Sequence, residues 1–231
     1  MIDAVVFDLD NTLVDFMLMK RKAVEAGIRS MIDAGLSLSF EEIDTVVSRI
    51  YKEQGIEYQR VFNHVLQELT NDVDHKILAA GIVGYRKARE AMLVPYPHVH
   101  RTLFTLARMG LKLGVVSDAP KLEAWLRLCS LNLHHIFDAV VTFEDTGERK
   151  PSPVPFQRVL SLMDVAPEHA IMIGDWEERD ILGAHNIGMY TAFARYGDTF
   201  NTGESAADFD LGSISDLLDV IRRLRKGKEE A

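Results

Sequence analysis

The sequence predicts an α/β protein: a doubly wound parallel sheet interrupted by an inserted all-helical segment. Three observations carry that prediction. Short apolar, β-branched runs recur along the chain, amphipathic helical patterns lie between them, and from about residue 15 to residue 94 only helical periodicity remains. Strands covered on both faces read as continuous apolar runs. Their alternation with helices predicts parallel pairing through crossover connections.

The first strand is predicted at Val5–Leu9. The inserted segment follows. Ser39 and Glu42 have capping-box spacing ahead of Ile43, Val46, Val47 and Ile50. Val61, Phe62, Val65, Leu66 and Leu69, then Ile77, Leu78, Ile82 and Tyr85, continue at helical spacing. Val94-Pro95-Tyr96-Pro97 stops helix propagation and returns the chain to the sheet layer. The expected division is therefore a core of residues 1–14 and 95–231 and a helical cap of residues 15–94, whose position directly after the first strand suits a lid.

Beyond the insert, a helix at His98–Met109 closed by Gly110 leads to a strand at Leu113–Ser117. A helix at Leu122–Cys129 precedes a strand at Ala139–Phe143, and a helix at Val154–Met163 precedes one at Ala170–Gly174. The pattern ends with a helix at Asp180–Asn186 closed by Gly188, a strand at Met189–Ala194, and a helix from Ser215 to Arg225 behind the capping pair Ser213 and Asp216.

Bulk properties narrow the function classes. The 231 residues are 47% hydrophobic and 26% charged, as in an ordinary globular protein large enough for a full core. A net charge of −9 argues against nucleic acid as a partner. The basic run Arg222–Lys228 reads as a solvated helix end, where cations suit the dipole. No apolar run is long enough to span a bilayer, and Met1–Ala4 lacks the basic and apolar regions of a signal peptide. One cysteine, Cys129, excludes an internal disulfide framework and suits a reducing cytoplasm; it reads as a buried helix residue. Cytoplasmic residence without a membrane partner is the expectation, as a monomer or homodimer.

The chemistry concentrates where strands end. Asp8 and Asp10 terminate a Val- and Phe-rich run, with Thr12 just beyond. Paired acids there are costly unless a cation or partner compensates them. Ser117, Lys150, Asp175 and Asp180 fall after three further strands. Alone, each has an ordinary reading as a cap, surface lysine or turn residue. Together they predict one crevice at the carboxyl end of the sheet. Several carboxylates call for a hard divalent cation, Mg²⁺, and with an ammonium and a hydroxyl they suit phosphoryl transfer. Asp8 and Asp10 fit the roles of nucleophile and proton donor/acceptor.

The order Asp8-Leu9-Asp10-Asn11-Thr12, Ser117, Lys150-Pro151, Gly174-Asp175 through Asp180 resembles the four motifs of the haloacid dehalogenase-like superfamily. The helical insert is similar to the small cap of its phosphoglycolate phosphatase-like branch. The resemblance implies Asp8 as nucleophile and Mg²⁺ ligand, and Asp10 as general acid/base with its backbone carbonyl on the metal. It implies Ser117 and Lys150 as phosphate-binding residues, Lys150 also orienting Asp8. Asp175 would ligate Mg²⁺, and Asp180 would ligate through water or fix Lys150. Asp118 stands where relatives often have Asn, a difference bearing on specificity or phosphate affinity.

Within the superfamily, Asp10 favours a phosphatase acting on a small phosphorylated metabolite such as phosphoglycolate, a sugar phosphate or a triose phosphate. A 2-haloacid dehalogenase needs no second acid or metal; a phosphonoacetaldehyde-type hydrolase has Ala there and uses a cap lysine. Lys20 and Lys22 read instead as solvated charges. A phosphomutase would share every motif. A non-enzymatic binding protein on this fold would be expected to lack Asp8, Asp10 or Asp175. The pairs His98/His100 and His134/His135 lack the partners of a zinc site. Trp125 reads as core and Trp176 as bordering the pocket.

Overall fold

The computed structural model describes residues 1–226 and divides into two compact units: Phe16–Leu93, and Met1–Asp15 joined with the chain from Val94 onward.

The first unit contains four helices, α1 (Phe16–Asp33), α2 (Phe40–Gln54), α3 (Val61–Thr70) and α4 (His75–Met92). The Ser39 hydroxyl accepts the Glu42 N–H at 3.2 Å and the Glu42 carboxylate accepts the Ser39 N–H at 2.8 Å, closing the capping box of α2. The Asp74 carboxylate accepts two N–H groups at the start of α4. Ile28, Met31, Ile43, Val47, Phe62, Val65 and Leu66 form the buried centre of this unit. Lys20 departs from the expected solvated charge. It is buried, donates to the Tyr85 hydroxyl at 3.0 Å, and lies 4.5 Å from the centre of the Tyr51 ring. Aromatic faces offset part of the desolvation cost of its ammonium. Lys22 is exposed and pairs with Glu25.

The second unit is built on six parallel strands, β1 (Ala4–Phe7), β2 (Lys112–Ser117), β3 (Ala139–Thr142), β4 (Ala170–Gly174), β5 (Tyr190–Ala194) and β6 (Phe209–Leu211), in the order β3-β2-β1-β4-β5-β6. Its helices are α5 (Val99–Arg108), α6 (Lys121–Ser130), α7 (Phe143–Thr146), α8 (Pro153–Met163), α9 (Leu182–His185) and α10 (Leu217–Lys226). Phe7 of β1 lies opposite Val115 of β2 and Ile173 of β4. The strand order therefore reverses at β1, which makes its carboxyl end the topological switch point where such sheets place a ligand. Val6, Val116, Val141 and Met172 pack with Phe156, Val159 and Met163 of α8 in a dry core that holds the strands in register.

Several expectations are corrected. A sixth strand, β6, lies at the sheet edge; three residues after a long polar loop are too few to show periodicity. β1 ends at Phe7 rather than Leu9, although the Asp8 N–H still donates to the Ile173 carbonyl at 2.8 Å. Leu13 and Val14 then donate to the Leu9 carbonyl, so Asp8 and Asp10 flank a tight loop rather than extend a strand. β3 stops at Thr142 because Thr142 and Asp145 cap α7. The helix expected at Asp180–Asn186 is a wide π-helical turn at Glu177–Ile181 leading into α9. Cys129 is exposed and Trp125 only half-buried, because the inward face of α6 is taken by Ala124, Arg127 and Leu128. Of the basic tail, Gly227 and Lys228 lie outside the described residues.

Candidate active site

The segments that follow β1, β3 and β4 deliver the charged groups. Asp8 follows β1, Lys150 sits in the loop between α7 and α8, Asp175 follows β4, and Asp180 is carried back by the π-helical turn. The Lys150 ammonium donates to Asp8 Oδ1 and to Asp180 Oδ1, both at 2.5 Å. Carboxylate oxygens of Asp8, Asp175 and Asp180 all lie within 4.8 Å of one another, and all three residues are buried.

Three carboxylates against one ammonium leave an excess of buried negative charge. Burial pushes the Asp8 carboxyl well above its usual range; Lys150 opposes this, while Asp180, Asp175 and Asp10 reinforce it. Burial and the charge of Asp180 push Asp175 up to about 8. Burial alone would lower Lys150, but the carboxylates of Asp180 and Asp8 outweigh it and hold the ammonium above its usual range. The ammonium is thus fixed in its charged form while the acids remain short of positive charge. An all-oxygen, carboxylate-rich set of this size fits a hard divalent cation.

The other predicted residues are placed around this cluster. Thr12 is buried and its hydroxyl donates to Asp175 Oδ1 at 3.4 Å. Ser117 is buried at the end of β2, next to β1, where its hydroxyl accepts the Ala119 N–H at 3.2 Å. Asp118 ties two loops together: Oδ1 accepts the Lys150 N–H at 3.0 Å and Oδ2 accepts from Arg179 at 3.1 Å. An Asn would supply only the first of these acceptors, so the acid matches the guanidinium opposite. Arg179 also stacks 3.8 Å from the Trp176 ring, and the Trp176 N–H donates to Asp180 Oδ2 at 3.1 Å.

The Asp10 carboxylate is outside the three-acid cluster; its Oδ2 accepts from Arg127 at 3.0 Å. The sequence reading missed Arg127. The available signal was a charged residue on the apolar stripe of α6, between Ala124 and Leu128. It also missed Gly197, where a β-carbon would stand 1.6 Å from the Asn11 carbonyl oxygen. Only glycine permits that loop to press against the Asp10–Asn11 turn.

Gly174 is constrained in the same way: a β-carbon there would lie 2.3 Å from Asp180 Cγ and Oδ2. The bare backbone is what lets Asp180 fold back onto Lys150. Gly174→Ala is therefore expected to cost on the order of 2 kcal/mol in urea unfolding. Gly212→Ala, whose nearest atom is Asp216 Oδ2 at 3.6 Å, is the near-neutral control.

The chain is similar to known proteins along nearly its whole length. Residues 5–194 match the family described as haloacid dehalogenase-like hydrolase. The chain is 37% identical over 232 residues to the glyceraldehyde 3-phosphate phosphatase of Methanopyrus kandleri, covering 98% of this chain and 100% of that one. It is 34% identical over 229 residues to the protein of the same name from Methanocaldococcus jannaschii, again covering 98% and 100%. A solved 2-haloacid dehalogenase from Pseudomonas syringae superposes with a TM-score of 0.67 at 25% identity, over 97% of this chain and 100% of that chain. A shared fold does not by itself fix the reaction, which is decided by the side chains of the site. The chain belongs to the haloacid dehalogenase-like hydrolase family.

Proposed function

We propose that this protein is a Mg²⁺-dependent phosphatase that hydrolyses a small phosphate monoester through an aspartyl-phosphate on Asp8. The observation that carries this reading is the pairing of two differently held acids. Asp8 lies in the Lys150-bridged cluster, and Asp10, two residues on, is kept apart on Arg127. A dehalogenase would have no use for the second acid. The full-length relatives named as glyceraldehyde 3-phosphate phosphatases support the phosphate ester and make a triose phosphate the first substrate to test.

In the first step, the Asp8 carboxylate attacks phosphorus as the ester P–O bond breaks, while Asp10 gives its proton to the departing alkoxide. In the second, Asp10 takes a proton from water as water attacks phosphorus and the Asp8–phosphorus bond breaks, releasing inorganic phosphate. Lys150 orients Asp8 and neutralises charge on the phosphoryl oxygens, and the Ser117 hydroxyl donates to the same group. Asp8, Asp175 and the Asp10 backbone carbonyl would hold Mg²⁺, with Asp180 beside them fixing Lys150. The ion would supply further charge neutralisation at the phosphoryl group.

Phosphate release by the purified protein tests the reading, with glyceraldehyde 3-phosphate, phosphoglycolate, pyrophosphate and p-nitrophenyl phosphate assayed with Mg²⁺ and with EDTA. Turnover that requires Mg²⁺ and has its highest kcat/KM on the triose phosphate is expected. Halide release from 2-haloacids without phosphate release from any ester would overturn it.

A further inference from the structure

We infer that Arg127 is a positioning residue for the proton-transferring carboxyl of Asp10. The inference rests on the phosphatase reading above and assigns a function to a residue outside the strand-end motifs. Arg127 sits on α6 between Ala124 and Leu128, and it is buried to 4% exposure. A guanidinium so far from water is costly unless an acid compensates it. Its Nη1 donates to Asp10 Oδ2 at 3.0 Å, joining residues 117 positions apart in the chain. α6 is itself held at its start, where Glu144 in α7 accepts the Lys121 N–H at 2.8 Å. The guanidinium is therefore carried on a helix that is tied to its neighbour at its first residue.

The consequence for chemistry is specific. A guanidinium has donors only. Oδ2, accepting from it, keeps the role of acceptor in both protonation states, which leaves the exchangeable proton on Oδ1. Arg127 thereby fixes the Asp10 rotamer and selects the oxygen that hands the proton to the leaving alkoxide as the P–O bond breaks and the Asp8–phosphorus bond forms. The same oxygen accepts the proton of water in the second step. A carboxyl left to rotate would lose the alignment on which general acid catalysis depends.

Leaving-group dependence separates this role from simple structural support. The parameter kcat/KM covers binding through the first irreversible step, which here is release of the alcohol. An alkyl ester needs a proton at that step, whereas p-nitrophenolate leaves unprotonated. Arg127→Leu is expected to lower kcat/KM for glyceraldehyde 3-phosphate by about 100-fold and for p-nitrophenyl phosphate by less than about fivefold. Arg127→Lys restores a charge without the planar fork, and an intermediate, still selective loss of about tenfold on the alkyl ester is expected. Equal losses on both esters in a folded variant, or no loss on either, would overturn the inference. If Arg127→Leu fails to fold, the ratio of the two losses in Arg127→Lys decides in the same way. Absence of turnover by the wild-type protein on both esters would instead remove the phosphatase reading itself.

Discussion

Asp8→Asn is expected to lower kcat by at least about 10⁴-fold while the protein remains folded and becomes more stable in the absence of metal. Removing a covalent nucleophile outright costs at the upper end of what single substitutions do, about 10⁶-fold in well-studied hydrolases. An amide cannot form the acyl-phosphate, and the Asp180 carboxylate is already engaged by both Lys150 and the Trp176 backbone N–H. The fold should survive because the Asn carbonyl oxygen can still accept from Lys150, which donates to Asp8 Oδ1 at 2.5 Å. Stability should rise because one of three crowded carboxylates becomes neutral, and burial already holds Asp8 well above its usual range. Steady-state turnover and urea unfolding in EDTA are the two measurements. A kcat within tenfold of wild type would rule out Asp8 as the nucleophile. A lower metal-free stability would show that the charge of Asp8 is needed to hold Lys150.

The core was legible where periodicity was long and the chemistry was local. The strands that became β1, β2, β4 and β5 were visible as apolar runs because each is covered on both faces, and Ser39 with Glu42 announced the start of α2. Residues following strand ends were legible because a charge directly after a dry run is anomalous; that is how Asp8 and Asp175 stood out. Contacts made across the sheet were not. Arg127 pairs with Asp10 only because α6 is laid beside the β1 loop, and no local pattern records that. Gly197 was invisible for the same reason, its constraint being the Asn11 carbonyl far away in the chain. The burial of Lys20 against Tyr51 and Tyr85 likewise depends on three helices meeting, whereas its immediate neighbours read as a charged helix surface. Propensity failed at Glu177–Ile181, where the Leu182 N–H reaches back five residues to the Glu177 carbonyl and the Asp180 carboxylate accepts the Trp176 backbone N–H, a wider turn than a regular helix makes.

Metal-free protein should lose stability as pH rises from about 4 to 8, and Mg²⁺ should restore it chiefly at the upper end. The sign follows from Asp175. Its carboxyl is pushed up to about 8 in the folded chain from an ordinary 3.8, so the folded state binds the proton more tightly than the unfolded state. Stability from a raised carboxyl is full below the unfolded value and is lost as pH climbs through the folded one. Each tenfold change in proton concentration inside that window is worth at most about 1.4 kcal/mol for one group. Asp8, also raised, acts in the same direction, whereas Lys150 stays charged throughout and contributes no slope there. A divalent cation that requires the deprotonated acids competes with those protons. Its effect on Tm should therefore be small at pH 5 and large at pH 8. Urea unfolding of EDTA-treated protein across this range, with and without Mg²⁺, measures both trends. Asp175→Asn isolates the residue: it should flatten the decline, raise metal-free stability at pH 8 and abolish the Mg²⁺-induced rise in Tm. An unchanged slope in Asp175→Asn would mean that the proton is held elsewhere. An unchanged response to Mg²⁺ would mean that the buried acids, although crowded as a cation site would crowd them, do not bind the ion through Asp175.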